Sequence, residues 1–155
     1  MVNRDIAFLM DVLMRRIHAG LHPRAIRVDK EKIGPVGGMV LFAIEEMAPV
    51  SLTRLGRAVA RDKSQMTRLI HLLEHKGLIV RVASDTDART SLLSLTKAGE
   101  RLVGKLRLAL SEAVDDVLLA LDQNERQSLE RLLLKALSIN EDALHLDQVS
   151  DKGPD

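Results

Sequence analysis

The sequence predicts a mainly α fold with a small two- or three-stranded β wing, and three observations carry that prediction. Two short amphipathic helix patterns joined by a tight turn occupy residues 51–77. Two strand-like segments, LIVRVAS at 78–84 and SLLSL at 91–95, flank the turn-prone DTDART. Long apolar stripes at helical spacing fill both ends of the chain. The arrangement reads as a winged helix-turn-helix flanked by N- and C-terminal dimerisation helices.

Taken in order, Ile6, Leu9, Met10, Leu13, Ile17 and Leu21 predict a long amphipathic first helix. His22-Pro23 is expected to end or kink it, because the residue before a proline is pushed out of the α region. A second helix is predicted over Val36 to Glu46, after the Gly34-Pro35 break, burying Val40, Ala43, Ile44 and Met47. Ser51 is placed to cap a short helix that buries Leu52, Leu55 and Val59. Asp62, with Gln65 three residues on, opens the next helix in a capping-box-like pattern, and Gly77 stands at its C′ position.

Thr96 is expected to cap a helix running to about Leu121, with Leu102, Leu106, Ala109, Leu110, Ala113, Val117 and Leu121 as its stripe. Asp122 and Glu125 repeat the capping-box spacing and open a last helix, whose buried side is Leu129, Leu132, Leu133, Ala136 and Leu137. From about Asp142 the periodicity is lost and a flexible tail is expected. The expected organisation is an N-terminal dimerisation helix at 1–34, a winged helix-turn-helix lobe at 35–96, C-terminal dimerisation helices at 97–141 and a tail at 142–155. The terminal stripes offer more apolar face than the small middle module covers, so a second copy is expected to bury them.

Composition narrows the function. With 46% apolar and 29% charged residues and no run long enough to span a bilayer, the chain reads as globular, without a membrane partner. The N-terminal segment has acids within its apolar stretch and no small-residue cleavage site, which implies a cytoplasmic location. The absence of cysteine excludes disulfides, thiolate metal sites and thiol chemistry. With two Phe and neither Trp nor Tyr, stacking of single-stranded bases on aromatic platforms is disfavoured. No P-loop, dinucleotide fingerprint, nucleophile-base arrangement or zinc-protease pattern occurs, so neither an enzyme nor a cofactor is expected.

The formal net charge of +1 conceals an uneven distribution. Residues 1–49 carry 7 basic and 6 acidic groups, residues 50–101 carry 10 and 5, and residues 102–155 carry 6 and 11. The segments are therefore +1, +5 and −5, which places a polyanion-facing module between less basic flanks.

The helix after Asp62 supplies the chemistry for such a partner. Met66, Leu69, Ile70 and Leu73 share one stripe, which turns Ser64, Thr67, Arg68, His71 and His75 the opposite way. A helix fits the major groove of duplex DNA, and residues near its N-terminus reach base edges. Gln65 suits a bidentate contact to adenine and Arg68 one to guanine, while Ser64 and Thr67 suit bases or phosphates. His71 faces phosphate or solvent, and Ser51, Arg54 and Lys63 are further candidates for phosphate contact.

These residues resemble the MarR family of winged helix-turn-helix transcription regulators. GLIVR at 77–81, D-A-R at 87–89 and LTKAG at 95–99 stand at the family's spacing, and TRLIHLLEHKGL at 67–78 is similar to the end of its recognition helix. The resemblance implies a homodimer of interlocked terminal helices that binds a pseudo-palindromic duplex operator, most often as a repressor. It implies that Arg89 enters the minor groove, where a narrow groove concentrates negative potential, and that Asp87 orients the wing by pairing with a nearby arginine such as Arg81.

Many relatives release DNA when a small aromatic or phenolic effector enters the cleft between dimer layer and DNA lobe. Candidate lining residues here are Met10, Met14, His18, His22, Met39 and Phe42, although Met and Phe at helical spacing also build cores. His18 with His22, and His71 with His75, are i, i+4 pairs without an acid or cysteine placed to complete a zinc site, so no metal is expected. The competing class is a winged-helix protein-protein interaction module without specific DNA binding.

Overall fold

The computed structural model describes residues 5–87 and 89–145. In chain order the elements are α1 (Ile6–Val28), α2 (Gly34–Met47), β1 (Val50–Ser51), α3 (Leu52–Ala58), α4 (Lys63–His75), β2 (Ile79–Ala83), β3 (Ser91–Leu95), α5 (Lys97–Val117) and α6 (Gln123–His145). The fold class is the predicted one, with the wing in its three-stranded form. The sheet is antiparallel in the order β1-β3-β2, and Arg81 stands opposite Leu93 in the β2–β3 register. The chain divides into two compact units, Met1–Val114 and Asp115–Asp155.

The core of the first unit is built where the helical stripes and the inward face of β3 meet. Val40, Leu41 and Ile44 of α2, Leu55 of α3, Met66, Ile70 and Leu73 of α4, Leu93 of β3 and Val103 of α5 are buried together. Burying side chains of this size contributes about 1.5–3 kcal/mol each, which fixes α4 by its inner stripe and leaves its outer side free.

Four helix boundaries differ from expectation. His22-Pro23 does not end α1, which continues through Pro23 to Val28. Proline forfeits the hydrogen bond its N–H would make to Ala19 O, but Ala25 and Val28 pack on the core beyond it. Tertiary packing therefore holds the turn that the proline weakens.

The second helix begins at Gly34 with Pro35 in its first turn, instead of at Val36. Asp29 stabilises this start, its Oδ1 accepting from Ile33 N at 3.1 Å and its Oδ2 from Gly34 N at 3.0 Å.

In the second unit, α5 ends at Val117 and does not reach Leu121. The Arg126 guanidinium donates to Leu118 O at 2.9 Å and Leu121 O at 3.4 Å and pairs with Asp115 at 2.7 Å, satisfying carbonyls that helix continuation would otherwise engage. The predicted capping box opens α6 in full: Glu125 N donates to Asp122 Oδ1 and Asp122 N to Glu125 Oε2, both at 2.9 Å. The α6 stripe is not buried within the chain, with Leu132 61%, Leu133 43% and Leu137 55% exposed. The helix continues past residue 141 to His145, and residues 146–155 of the expected tail lie outside the described residues.

Candidate nucleic-acid interface

Two short helices and a tight turn place the recognition surface. Ser51 Oγ accepts from Arg54 N at 3.2 Å and starts α3, while Asp62 Oδ1 accepts from Gln65 N at 2.8 Å and starts α4. Between them Ala60 adopts a left-handed backbone with φ 50°, which lets Arg61 N return to Gly56 O at 3.0 Å.

On the outer side of α4, Ser64, Gln65, Arg68, His71 and His75 are exposed, and Thr67 is half-buried. Thr67 Oγ1 donates to Lys63 O at 2.8 Å, so its hydroxyl offers only an acceptor outward. Arg54 and Lys63 are exposed and Ser51 is half-buried at its cap position.

Two residues, Arg81 and Thr96, tie the wing to α4 and to the turn that leaves it. Arg81 grips Glu74 of α4 bidentately, Nε to Oε1 at 2.7 Å and Nη2 to Oε2 at 3.2 Å. Thr96 N donates to Leu78 O at 3.0 Å, and Thr96 Oγ1 donates to Gly77 O at 2.6 Å while accepting from Gly99 N at 3.1 Å. One threonine thus caps α5, as predicted, and fastens its start to the turn that leaves α4.

The wing tip is built on Asp87. Its Oδ1 accepts from Arg89 N and its Oδ2 from Thr90 Oγ1, each at 2.9 Å, and Thr90 N donates to Asp87 O at 3.0 Å. The expected pairing of Asp87 with Arg81 is therefore corrected: Arg81 is held by Glu74, and Asp87 is spent on the turn. The backbone N–H of Arg89, and then the Thr90 hydroxyl, hold the Asp87 carboxyl below its usual range. The Arg89 side chain is exposed and has no ion-pair partner among the described residues.

Comparison with known proteins agrees with this arrangement. The sequence profile of the MarR family matches residues 37–91. The HTH-type transcriptional regulator SarZ of Staphylococcus haemolyticus is 30% identical over 141 residues, 91% of this chain and 92% of the relative. The chain belongs to the MarR family. Among solved structures, a probable transcriptional regulator from Pseudomonas aeruginosa is similar at 26% identity and TM-score 0.65, over 88% of this chain and 99% of that one. A MarR mutant from E. coli complexed with operator DNA shares the fold at 22% identity and TM-score 0.65, over 85% of this chain and 93% of that one. The family and its relatives are regulators of transcription, which bears out the expectation that the chain is not an enzyme.

Two basic residues of this MarR-family lobe escaped the sequence reading. Arg57 and Arg61 are exposed and stand with Lys63 around a cavity of about 330 Å³ at the helix-turn-helix turn. Their signal was already in the +5 charge of residues 50–101, which the named contacts did not exhaust.

The six candidates for an effector cleft line neither the cavity at the helix-turn-helix turn nor a second one beside Glu45, Pro49 and Glu100. Met10, Met14, Met39, His18 and His22 are exposed and Phe42 is half-buried, its ring 5.3 Å from the Arg107 guanidinium carbon. Of the histidine pairs, His71 Nδ1 lies 3.7 Å from Glu74. No described helix is long and apolar enough to cross a membrane.

Proposed function

We propose that this MarR-family transcription regulator is a cytoplasmic homodimer that binds a pseudo-palindromic duplex and represses transcription from it. The observation that carries the reading is the pairing of two exposed elements: the outer side of α4, with Ser64, Gln65 and Arg68, and the wing tip whose Asp87 turn presents Arg89. Gln65 and Arg68 would read base edges in the major groove, Ser64, Thr67 and His71 would support them, and Ser51, Arg54 and Lys63 would hold phosphates. Arg89 would enter the adjacent minor groove. The operator complex of the E. coli MarR mutant, which shares the fold, supports DNA as the partner.

Dimerisation is supported by the apolar faces left open on each terminal element. On α1, Ile6 is 76% and Phe8 55% exposed, and neither α1 nor α6 has a buried residue among those described. Patches of this kind mark association surfaces. A small-molecule effector acting through Met10, Met14, His18, His22, Met39 and Phe42 would then need the second copy to complete its cleft.

The test is selection of bound duplexes from a random pool, followed by affinity measurements over a salt series. A two-half-site consensus with centres about one helical turn or a multiple apart is expected, with affinity falling steeply as salt rises. No enrichment, or salt-independent binding, would leave the protein-interaction alternative standing.

A further inference from the structure

One outward side chain of α4 is apolar. Leu72 is 39% exposed, and it belongs neither to the buried core nor to the partly buried side chains packed on it. Gln65, Arg68 and Leu72 follow one another at spacings of three and four residues, so the leucine continues the stripe of the two proposed base-reading side chains. Arg68 stands one turn before it, His71 beside it and His75 one turn after it, all three exposed. The wing is on the other flank of the helix: Glu74, which Arg81 of β2 grips, lies about 200° round α4 from Leu72.

A purely apolar partner surface would cover the leucine and strand the Arg68 cation without water or a counter-charge. A phosphate would meet the arginine and offer the leucine nothing. The major groove of duplex DNA supplies both kinds of neighbour. Its base edges carry acceptors for arginine, and thymine adds a C5-methyl, the one apolar group on those edges.

We infer that Leu72 is a specificity-determining residue that packs on a thymine C5-methyl in the major groove, one helical turn beyond the contact made by Arg68. The assignment rests on the DNA-binding reading above. It adds a preference that hydrogen bonding does not give, for thymine over deoxyuridine, since the two bases present the same donors and acceptors and differ only in the methyl group.

The experiment takes the full chain and the duplex consensus selected from a random pool, with each thymine replaced in turn by deoxyuridine. Anisotropy titrations at one salt concentration should reveal a position in each half-site where the replacement weakens binding by the parent protein about fourfold, the effect of withdrawing one buried methyl carbon. Leu72→Ala and Leu72→Gln should each bind the thymine and deoxyuridine duplexes equally at that position, while Leu72→Met, which keeps an apolar tip, should retain the preference. Unfolding curves check that the variants are intact, and glutamine, a good helix former at an exposed site, carries the test if alanine disturbs the fold. A consensus without thymine, a parent protein indifferent to every replacement, or a preference that survives in Leu72→Ala and Leu72→Gln overturns the assignment and leaves duplex binding in place. A protein that selects no duplex overturns the DNA-binding reading and this assignment with it.

Discussion

The carbonyl oxygen of Leu78 occupies the space that a β-carbon on residue 99 would need, and residue 99 is glycine. Leu78 follows the turn out of α4 and Gly99 lies in the first turn of α5, so this close approach sets how the wing leaves one helix and the chain enters the next. Thr96 secures the same junction, accepting from Gly99 N and donating to Gly77 O. The glycine and threonine of LTKAG are thus two halves of one joint.

Gly99→Ala should therefore destabilise the protein by roughly 1–3 kcal/mol, the usual cost of overpacking, since the obstructing atom is backbone and cannot rotate away. Thermal or urea unfolding measures it. A variant as stable as the parent protein would show that the Leu78–Gly99 approach relaxes at no cost.

Arg89→Ala should lower duplex affinity by about 1–3 kcal/mol while leaving the unfolding midpoint unchanged. The separation follows from the structure: the Arg89 side chain is exposed and has no ion pair among the described residues, whereas the turn is held by the Arg89 backbone N–H, which alanine retains. Anisotropy titrations at matched salt give the first quantity and circular dichroism the second. Unchanged affinity would remove the wing from the interface.

How much of this was legible beforehand depended on how local the cause is. The Asp122–Glu125 capping box closes within four residues, and both of its hydrogen bonds form as the spacing predicts. Asp62 and Ser51 cap their helices for the same reason. The passage of α1 through Pro23 was illegible, because Ala25 and Val28 gain their packing from residues distant in sequence. Arg81 was matched to the wrong acid on similar grounds: its partner, Glu74, comes within reach only once β2 folds back beside α4. Gly99 could be recognised as part of a motif, but the carbonyl that demands it is set by the fold.

Asp87 gives a pH prediction with a defined sign. Its folded pKa lies below the ordinary 3.8, because the Arg89 N–H and then the Thr90 hydroxyl donate to the charged form. The wing turn is therefore fully supported above 3.8 and loses that support only as pH falls through the lower, folded value. The Arg89 amide resonance should titrate with a midpoint below 3.8. Asp87→Asn should keep the Arg89 bond through its Oδ1 and lose the one from Thr90, and Asp87→Ala should lose both, so duplex affinity should fall in that order. A midpoint at or above 3.8 would show that these bonds do not persist in solution.

Ala60 carries the last prediction, because it takes a left-handed backbone at the turn of the helix-turn-helix, with φ 50°. An L-residue there costs about 1–2 kcal/mol from the clash of Cβ with its own carbonyl oxygen, a cost that glycine does not carry. Glycine also widens the unfolded ensemble, which takes back about 0.4–1 kcal/mol. Ala60→Gly should accordingly stabilise the protein by about 1 kcal/mol or less, whereas Ala60→Val, whose branched side chain fits this region poorly, should destabilise it. Urea unfolding of the two variants decides it: a glycine variant less stable than the parent protein would mean that Ala60 holds the turn through side-chain packing, despite its exposed position.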